Sequence, residues 1–184
     1  MKKGLIIAGV IIIIVIFSLF GYYNKFVTAN ESVDGQWAQV ETQYQRRFDL
    51  IPNLVESVKG VMAQEKDVFG MIADARTKYA GASTANEKAA AATEVESALG
   101  RLLVVMENYP QLKSADNVNT LMAQLEGTEN RISVERGRYN TAVKDYNVMV
   151  KRFPANVLAG MFGFGERSYF EAAEGSEAAP SVQF

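Results

Sequence analysis

Residues 4–23, GLIIAGVIIIIVIFSLFGYY, carry no charged side chain, and the five consecutive β-branched residues from Ile11 to Val15 leave no polar stripe. At about 1.5 Å per residue, twenty residues make a helix about 30 Å long, the thickness of a bilayer's hydrocarbon core. The stretch therefore reads as a single transmembrane helix, and it sets the solvent that every later residue meets. The competing reading is a cleaved signal peptide, with Lys2 and Lys3 before the run and Val27-Thr28-Ala29 as a small-residue cleavage site. The run is longer than a signal peptide's apolar region of about 7 to 15 residues, and the cleavage site lies well beyond it, which favours the anchor. Lys2 and Lys3 precede the helix and Lys25 alone follows closely, so the positive-inside rule puts the N-terminus in the cytoplasm and the rest outside.

About 160 residues follow the anchor, enough for one domain with its own core. Setting Lys2 and Lys3 aside leaves 17 basic against 21 acidic residues, a net charge of −4. That balance argues against nucleic acid as a partner, since its binders show a basic face. The chain has no His and no Cys, which removes Ser-His-Asp and Cys-His nucleophiles, imidazole or thiolate zinc sites and the His or Cys ligands of haem. No glycine-rich phosphate loop is present. Cofactor chemistry has no support, and an enzyme here would have to work with carboxylate, Lys or Tyr groups alone.

Downstream of the anchor, Val33, Trp37, Val40, Tyr44, Phe48 and Ile51 recur at steps of three and four and share a helical face. Pro52 follows. A proline inside a helix removes one hydrogen bond and crowds the preceding turn, so the stretch either kinks or reverses here. Phe48, Val55, Met62 and Phe69 form one seven-residue series and Ile51, Val58 and Ile72 its companion, so the stripe crosses Pro52 in phase and favours a kinked continuous helix running to Tyr79. Ala80 to Ser83 reads as a stop. Thr84 and Glu87 have capping-box spacing, and a helix with the face Ala92, Val95, Leu99, Leu102, Met106 and Tyr109 is expected from there to Pro110. A last helix from Ser114 or Asp116 carries Val118, Leu125, Ile132, Tyr139, Tyr146 and Phe153 at intervals of seven, with Leu121, Ala142 and Met149 in the partner register. A heptad of that length demands a long seam against other helices. After Pro154, three glycines interrupt Val157, Leu158, Met161, Phe162 and Phe164, and the tail is expected to be non-helical, with Val182 and Phe184 alternating as in an extended strand.

Trp37-x-x-Val40-Glu41-x-Gln43, Gln45-Arg46-Arg47-x-Asp49-Leu50-Ile51-Pro52-Asn53-Leu54-Val55, Val58-Lys59-Gly60, Ala75-Arg76, Tyr109-Pro110-x-Leu112, Arg138-Tyr139-Asn140 and Tyr146-Asn147 together resemble the LemA family of bacterial membrane proteins. The likeness covers nearly the whole chain in order. It implies an N-terminal anchor carrying a four-helix, up-and-down bundle in the bacterial inner membrane, and it brings no catalytic residues. Combined with the periodicities, the expectation is an all-α chain. Residues 1–3 precede the membrane, 4–23 span it, 24–153 form an antiparallel bundle of three to four long helices, and 154–184 form the tail.

Several groups are candidates for more than packing. Arg46 and Arg47 beside Asp49 suit lipid phosphates or, more plainly, ion pairs with acidic residues of neighbouring helices or protomers. On a helix continued from Tyr23, Arg46 lies about 35 Å along the axis, well beyond the reach of headgroup charge. Tyr139-Asn140 and Tyr146-Asn147 stack one above the other, as a ligand groove or as core tyrosines with register-setting asparagines. Trp37, Pro52 and Asn53 belong to the same structural motif set. Val157, Leu158, Met161, Phe162 and Phe164 fit either docking on the bundle or external contact with a protomer or the membrane. Glu41, Glu65, Asp67 and Asp74 offer oxygens for a cation but read first as a solvated face. The function expected is a self-associating, membrane-anchored scaffold without catalysis or, in its place, an adaptor for another envelope protein.

Overall fold

The structure is a computed structural model and describes residues 2–170. Its regular elements are all helical: α1 (Lys2–Lys59), α2 (Lys66–Gly81), α3 (Ala85–Met106), α4 (Pro110–Lys113), α5 (Asp116–Lys151) and α6 (Ala155–Phe162). The expected extended pair Val182 and Phe184 lies outside the described residues. Of the described residues, those of Met1–Ala38 and Gly137–Tyr169 form one compact unit, and Gln39–Arg136 with Phe170 form the other.

In the first unit, α1 is the one helix among the described residues long and apolar enough to cross a membrane. Its early side chains stand bare, Phe17 at 74% exposure among isoleucines such as Ile12 and Ile14. Apolar surface of that extent needs lipid or protein to cover it. Burial begins at Phe26 and continues at Val33, where Tyr139, Val143, Tyr146 and Val150 of α5 are buried in the same unit.

The second unit is built by residues 39–59 of α1, all of α2, α3 and α4, and residues 116–136 of α5. Val40, Tyr44, Phe48, Ile51, Leu54 and Val58 are buried on α1, and the helix passes through Pro52 without ending. The Tyr79 ring lies 4.3 Å from Phe48 and 5.8 Å from Tyr44, so α2 turns back along α1. Lys78 pairs with Glu94 at 2.6 Å and Arg101 reaches Met71, so α3 turns back along α2. Asn117 donates to Ser57 and Arg136 to the Tyr44 hydroxyl, setting α5 antiparallel to α1. Thr84 and Glu87 make the expected capping box at the start of α3.

Three expectations need correction. The helix expected to run to Tyr79 ends at Lys59 instead, and Gly60 to Glu65 form a turn in which Val61 and Met62 both donate to the Val58 carbonyl. Met62 is wholly buried inside that turn. An apolar residue that plugs a helix hairpin keeps the heptad phase as well as one on a helix does, so periodicity alone hid the reversal. Within the stripe, Val55 and Phe69 are only half-buried, while Leu54 takes the buried position. Second, α3 stops at Met106, and Pro110 opens α4 at its first turn, where its missing N–H costs nothing. Third, the segment expected to be non-helical forms α6. Gly160 faces open space inside it, and Gly163, at φ 78°, ends it in the left-handed conformation that glycine alone enters without strain. The α5 seam also stops short, since Phe153 is 79% exposed.

Candidate functional site

In the first unit, α6 lies against the top of the apolar run of α1. Ala155 and Ala159 are buried, and their small side chains allow close approach. Phe162 meets the Tyr23 ring edge-on at 5.3 Å, and Phe164 lies 5.9 Å from Tyr23 and 5.3 Å from Phe26. Both phenylalanines therefore touch the anchor helix. Val157 and Met161 stay exposed at 55% and 70%, and Leu158 is half-buried. A groove of about 430 Å³ runs beside this contact, lined by Ile16, Leu19, Phe20, Tyr23 and Phe162 and by no polar surface.

The chain leaving α6 is pinned by Asn147, which is 4% exposed. Its Nδ2 donates to the Arg167 carbonyl and its Oδ1 accepts from the Arg167 N–H, both at 2.8 Å. One side-chain amide thus satisfies both backbone polar groups of Arg167. The Arg167 guanidinium reaches Asn30 and forms an ion pair with Asp34 on α1. Tyr139 donates to the Ser168 carbonyl at 3.1 Å and stacks edgewise on Trp37 at 5.5 Å. Burial raises the phenol pKa of Tyr139 and of Tyr146, so both remain donors. Tyr139 and Asn147, one from each Tyr-Asn pair, thus act as latches for residues 167–168. Asn147→Ala should remove two hydrogen bonds to the Arg167 backbone and cost about 2 kcal/mol, read from the unfolding midpoint in detergent.

In the second unit, Arg47, 7% exposed, forms an ion pair with Glu129 and lies 3.6 Å from Glu96. Arg136 donates to Glu96 at 3.2 Å and to the Tyr44 hydroxyl at 3.1 Å, with its guanidinium 4.4 Å from the Phe170 ring centre. Two guanidinium groups thus bracket the Glu96 and Glu129 carboxyl groups. Burial pushes the Glu129 carboxyl up, aided by its hydrogen bond to Glu96 and opposed by Arg47 and Arg136. Burial works against ionising Glu96 as well, but the hydrogen bond from Glu129 and the charges of Arg136 and Arg47 outweigh it and hold that carboxyl below its ordinary range.

This split gives a pH signature. A raised folded-state pKa stabilises the fold below the ordinary carboxylate value, and that contribution is lost as pH rises through the folded value. Glu129→Gln holds the group neutral, so its melting temperature relative to the parent should rise as pH rises above the ordinary carboxylate value. Glu96, lowered, contributes above the ordinary value and loses that contribution as pH falls. The melting temperature of Glu96→Gln relative to the parent should therefore fall as pH rises toward the ordinary carboxylate value, on the acid side of the interval for Glu129. Parallel curves for the two variants would contradict the assignment.

The remaining predicted residues are dispersed. Arg46 is exposed, and Asp49 accepts from Gln45 at 2.9 Å on the same helix. Asn53 supplies its carbonyl to the Ser57 hydroxyl, and Asn140 is half-buried. The four acids weighed as cation ligands do not converge. Glu41 pairs with Lys88, Glu65 accepts from the Tyr109 hydroxyl at 2.9 Å, and Asp67 and Asp74 are exposed. Among the described residues, no three His, Cys, Asp or Glu side chains gather as a cation site. Glu96, Glu129, Arg136, Asp34 and Arg167 escaped the sequence reading. One signal was there: the partner register from Leu121 to Ala142 is interrupted by Thr128 and Glu135, the mark of a polar layer in a seam.

An apolar helix of membrane-spanning length at the start of an all-helical chain defines a membrane-associated helical protein. The chain belongs to the LemA family, whose sequence profile matches residues 36–184. It is also similar to two proteins of Paramagnetospirillum magneticum, magnetosome protein MamQ 1 and magnetosome protein MamQ 2. Each is 28% identical over 193 aligned positions, which cover 91% of this chain and 71% of the relative. Magnetosome protein MamQ of Magnetospirillum gryphiswaldense is 28% identical over 174 positions, covering 80% of this chain and 64% of that protein.

Proposed function

We propose that the chain is a self-associating scaffold, anchored in the bacterial inner membrane by one pass, that organises or shapes the membrane without catalysis. The observation that carries this reading is the continuity of α1, which begins in a lipid-length apolar run and ends, without a break, among the buried core residues of the helical domain. In this reading residues 39–59, α2, α3 and the first part of α5 act as an up-and-down bundle, and Arg47 with its carboxyl partners fixes their register. The N-terminus lies in the cytoplasm and the bundle outside. The relatives named magnetosome proteins support a membrane setting. Two differently tagged copies, co-expressed and extracted in polymer nanodiscs, should be captured together. Recovery of one tag without the other would remove self-association.

A second reading is an adaptor for another envelope protein. It draws on Leu103 and Val104, adjacent on α3 and 41% and 66% exposed, outside the buried face of that helix. Leu103→Ser with Val104→Ser would abolish capture of such a partner while leaving the association of copies intact.

A further inference from the structure

We propose that α6 is a second membrane element: it lies in the outer leaflet beside the anchor, and the groove between Phe162 and the anchor holds an acyl chain of a leaflet phospholipid. The proposal rests on residues 4–23 spanning the bilayer. Depth is the first argument. The groove is lined by Ile16, Leu19, Phe20, Tyr23 and Phe162, and Ile16 to Tyr23 covers about 10 Å of helix axis at the end of the apolar run. Phe162 is therefore level with the hydrocarbon of one leaflet, and its ring contact with Tyr23 fixes it there.

The composition of α6 is the second argument. Its eight residues, ANVLAGMF, carry no charge, and its one polar side chain, Asn156, accepts from the Val157 N–H through its own Oδ1. Ala155 and Ala159 are buried, leaving Val157 and Met161 outward, with Phe153 just before the helix. In water this face would be bare apolar surface. In the leaflet it continues the lipid-facing surface of α1, whose residues Ile12, Ile13, Ile16, Phe17 and Phe20 are exposed in the same way. Tyr22 and Tyr23 mark the interface where aromatic side chains collect, and Lys25 stands 5.8 Å from the Tyr22 ring centre, at headgroup level. That continuity selects lipid as the occupant. A groove walled by an anchor helix opens onto acyl chains in every membrane that holds the anchor.

The test uses the full-length chain in nanodiscs of phosphatidylethanolamine and phosphatidylglycerol, with bromine on the acyl chains as a contact quencher. Trp37 is the sole tryptophan, so Trp37→Phe gives a dark background into which Met161→Trp, Phe17→Trp or Val134→Trp is placed. Met161→Trp should lose emission to a degree comparable with Phe17→Trp, while Val134→Trp should lose none. Quenching of Phe17→Trp without Met161→Trp would overturn the placement of α6 and leave the anchor standing. Absence of quenching at Phe17→Trp would overturn the anchor and the proposal with it. The chain has no cysteine, so Met161→Cys tests the rival occupant. Disulfide-linked dimers through that position, with Met161→Trp unquenched, would put a second copy on this face and refute the lipid assignment.

Discussion

Arg47→Ala is expected to destabilise the helical domain by about 2 to 3 kcal/mol, the cost of losing charge-assisted bonds from a buried guanidinium to carboxylates that are themselves partly exposed. The guanidinium is 7% exposed and lies between Glu129 and Glu96. Its loss leaves the two carboxyl groups beside each other with Arg136 as the remaining guanidinium among the described residues at the pair. The cavity left by the long side chain adds to that cost. Arg47→Met gives up the charge and its hydrogen bonds but keeps most of the volume, so it should cost less than Arg47→Ala. The Arg47 Nε is buried without a hydrogen-bond partner, which means the arginine does not reach its full bonding capacity and the methionine forfeits less than five donors. Urea unfolding of the detergent-solubilised chain, followed by helix signal, reads the difference. A loss below about 1 kcal/mol for Arg47→Ala would mean that the cluster behaves as a surface ion pair.

Deleting residues 2–23 should release the chain from the membrane. Thirteen of the twenty residues from Gly4 to Tyr23 are Leu, Ile, Val or Phe, and at about 0.4 kcal/mol each they favour insertion by about 5 kcal/mol. α6 cannot replace that contribution, because eight residues span only about 12 Å of helix. The truncated chain should appear in the carbonate-washed supernatant, and the full chain in the pellet. A truncated chain that stays in the carbonate-washed pellet would show that membrane attachment lies elsewhere in the sequence.

The apolar N-terminal helix was legible because its signal is compositional: twenty residues without a charge and rich in Ile, Val, Leu and Phe. The Thr84 and Glu87 cap was legible because it is local, made within four residues. The heptad of α5 correctly gave Val118, Leu125, Ile132, Tyr139 and Tyr146 as buried. The turn at 60–65 was not legible, because Met62 answers to the same burial pressure in a turn as on a helix. α6 was misread because glycine weakens a helix by only about 1 kcal/mol, and the contacts of Phe162 and Phe164 with Tyr23 and Phe26 join residues far apart in sequence. The ion cluster shows the same limit. Arg47 could be singled out, but Glu96, Glu129 and Arg136 become its surroundings only after α1, α3 and α5 meet.

Self-association is the central claim, and the mass of the full-length chain tests it most directly. Light scattering of the protein extracted with its native lipids into polymer nanodiscs, with particles imaged by electron microscopy, should give a closed assembly of many chains. A particle containing one chain at cellular membrane density would contradict the scaffold and leave the adaptor reading in its place.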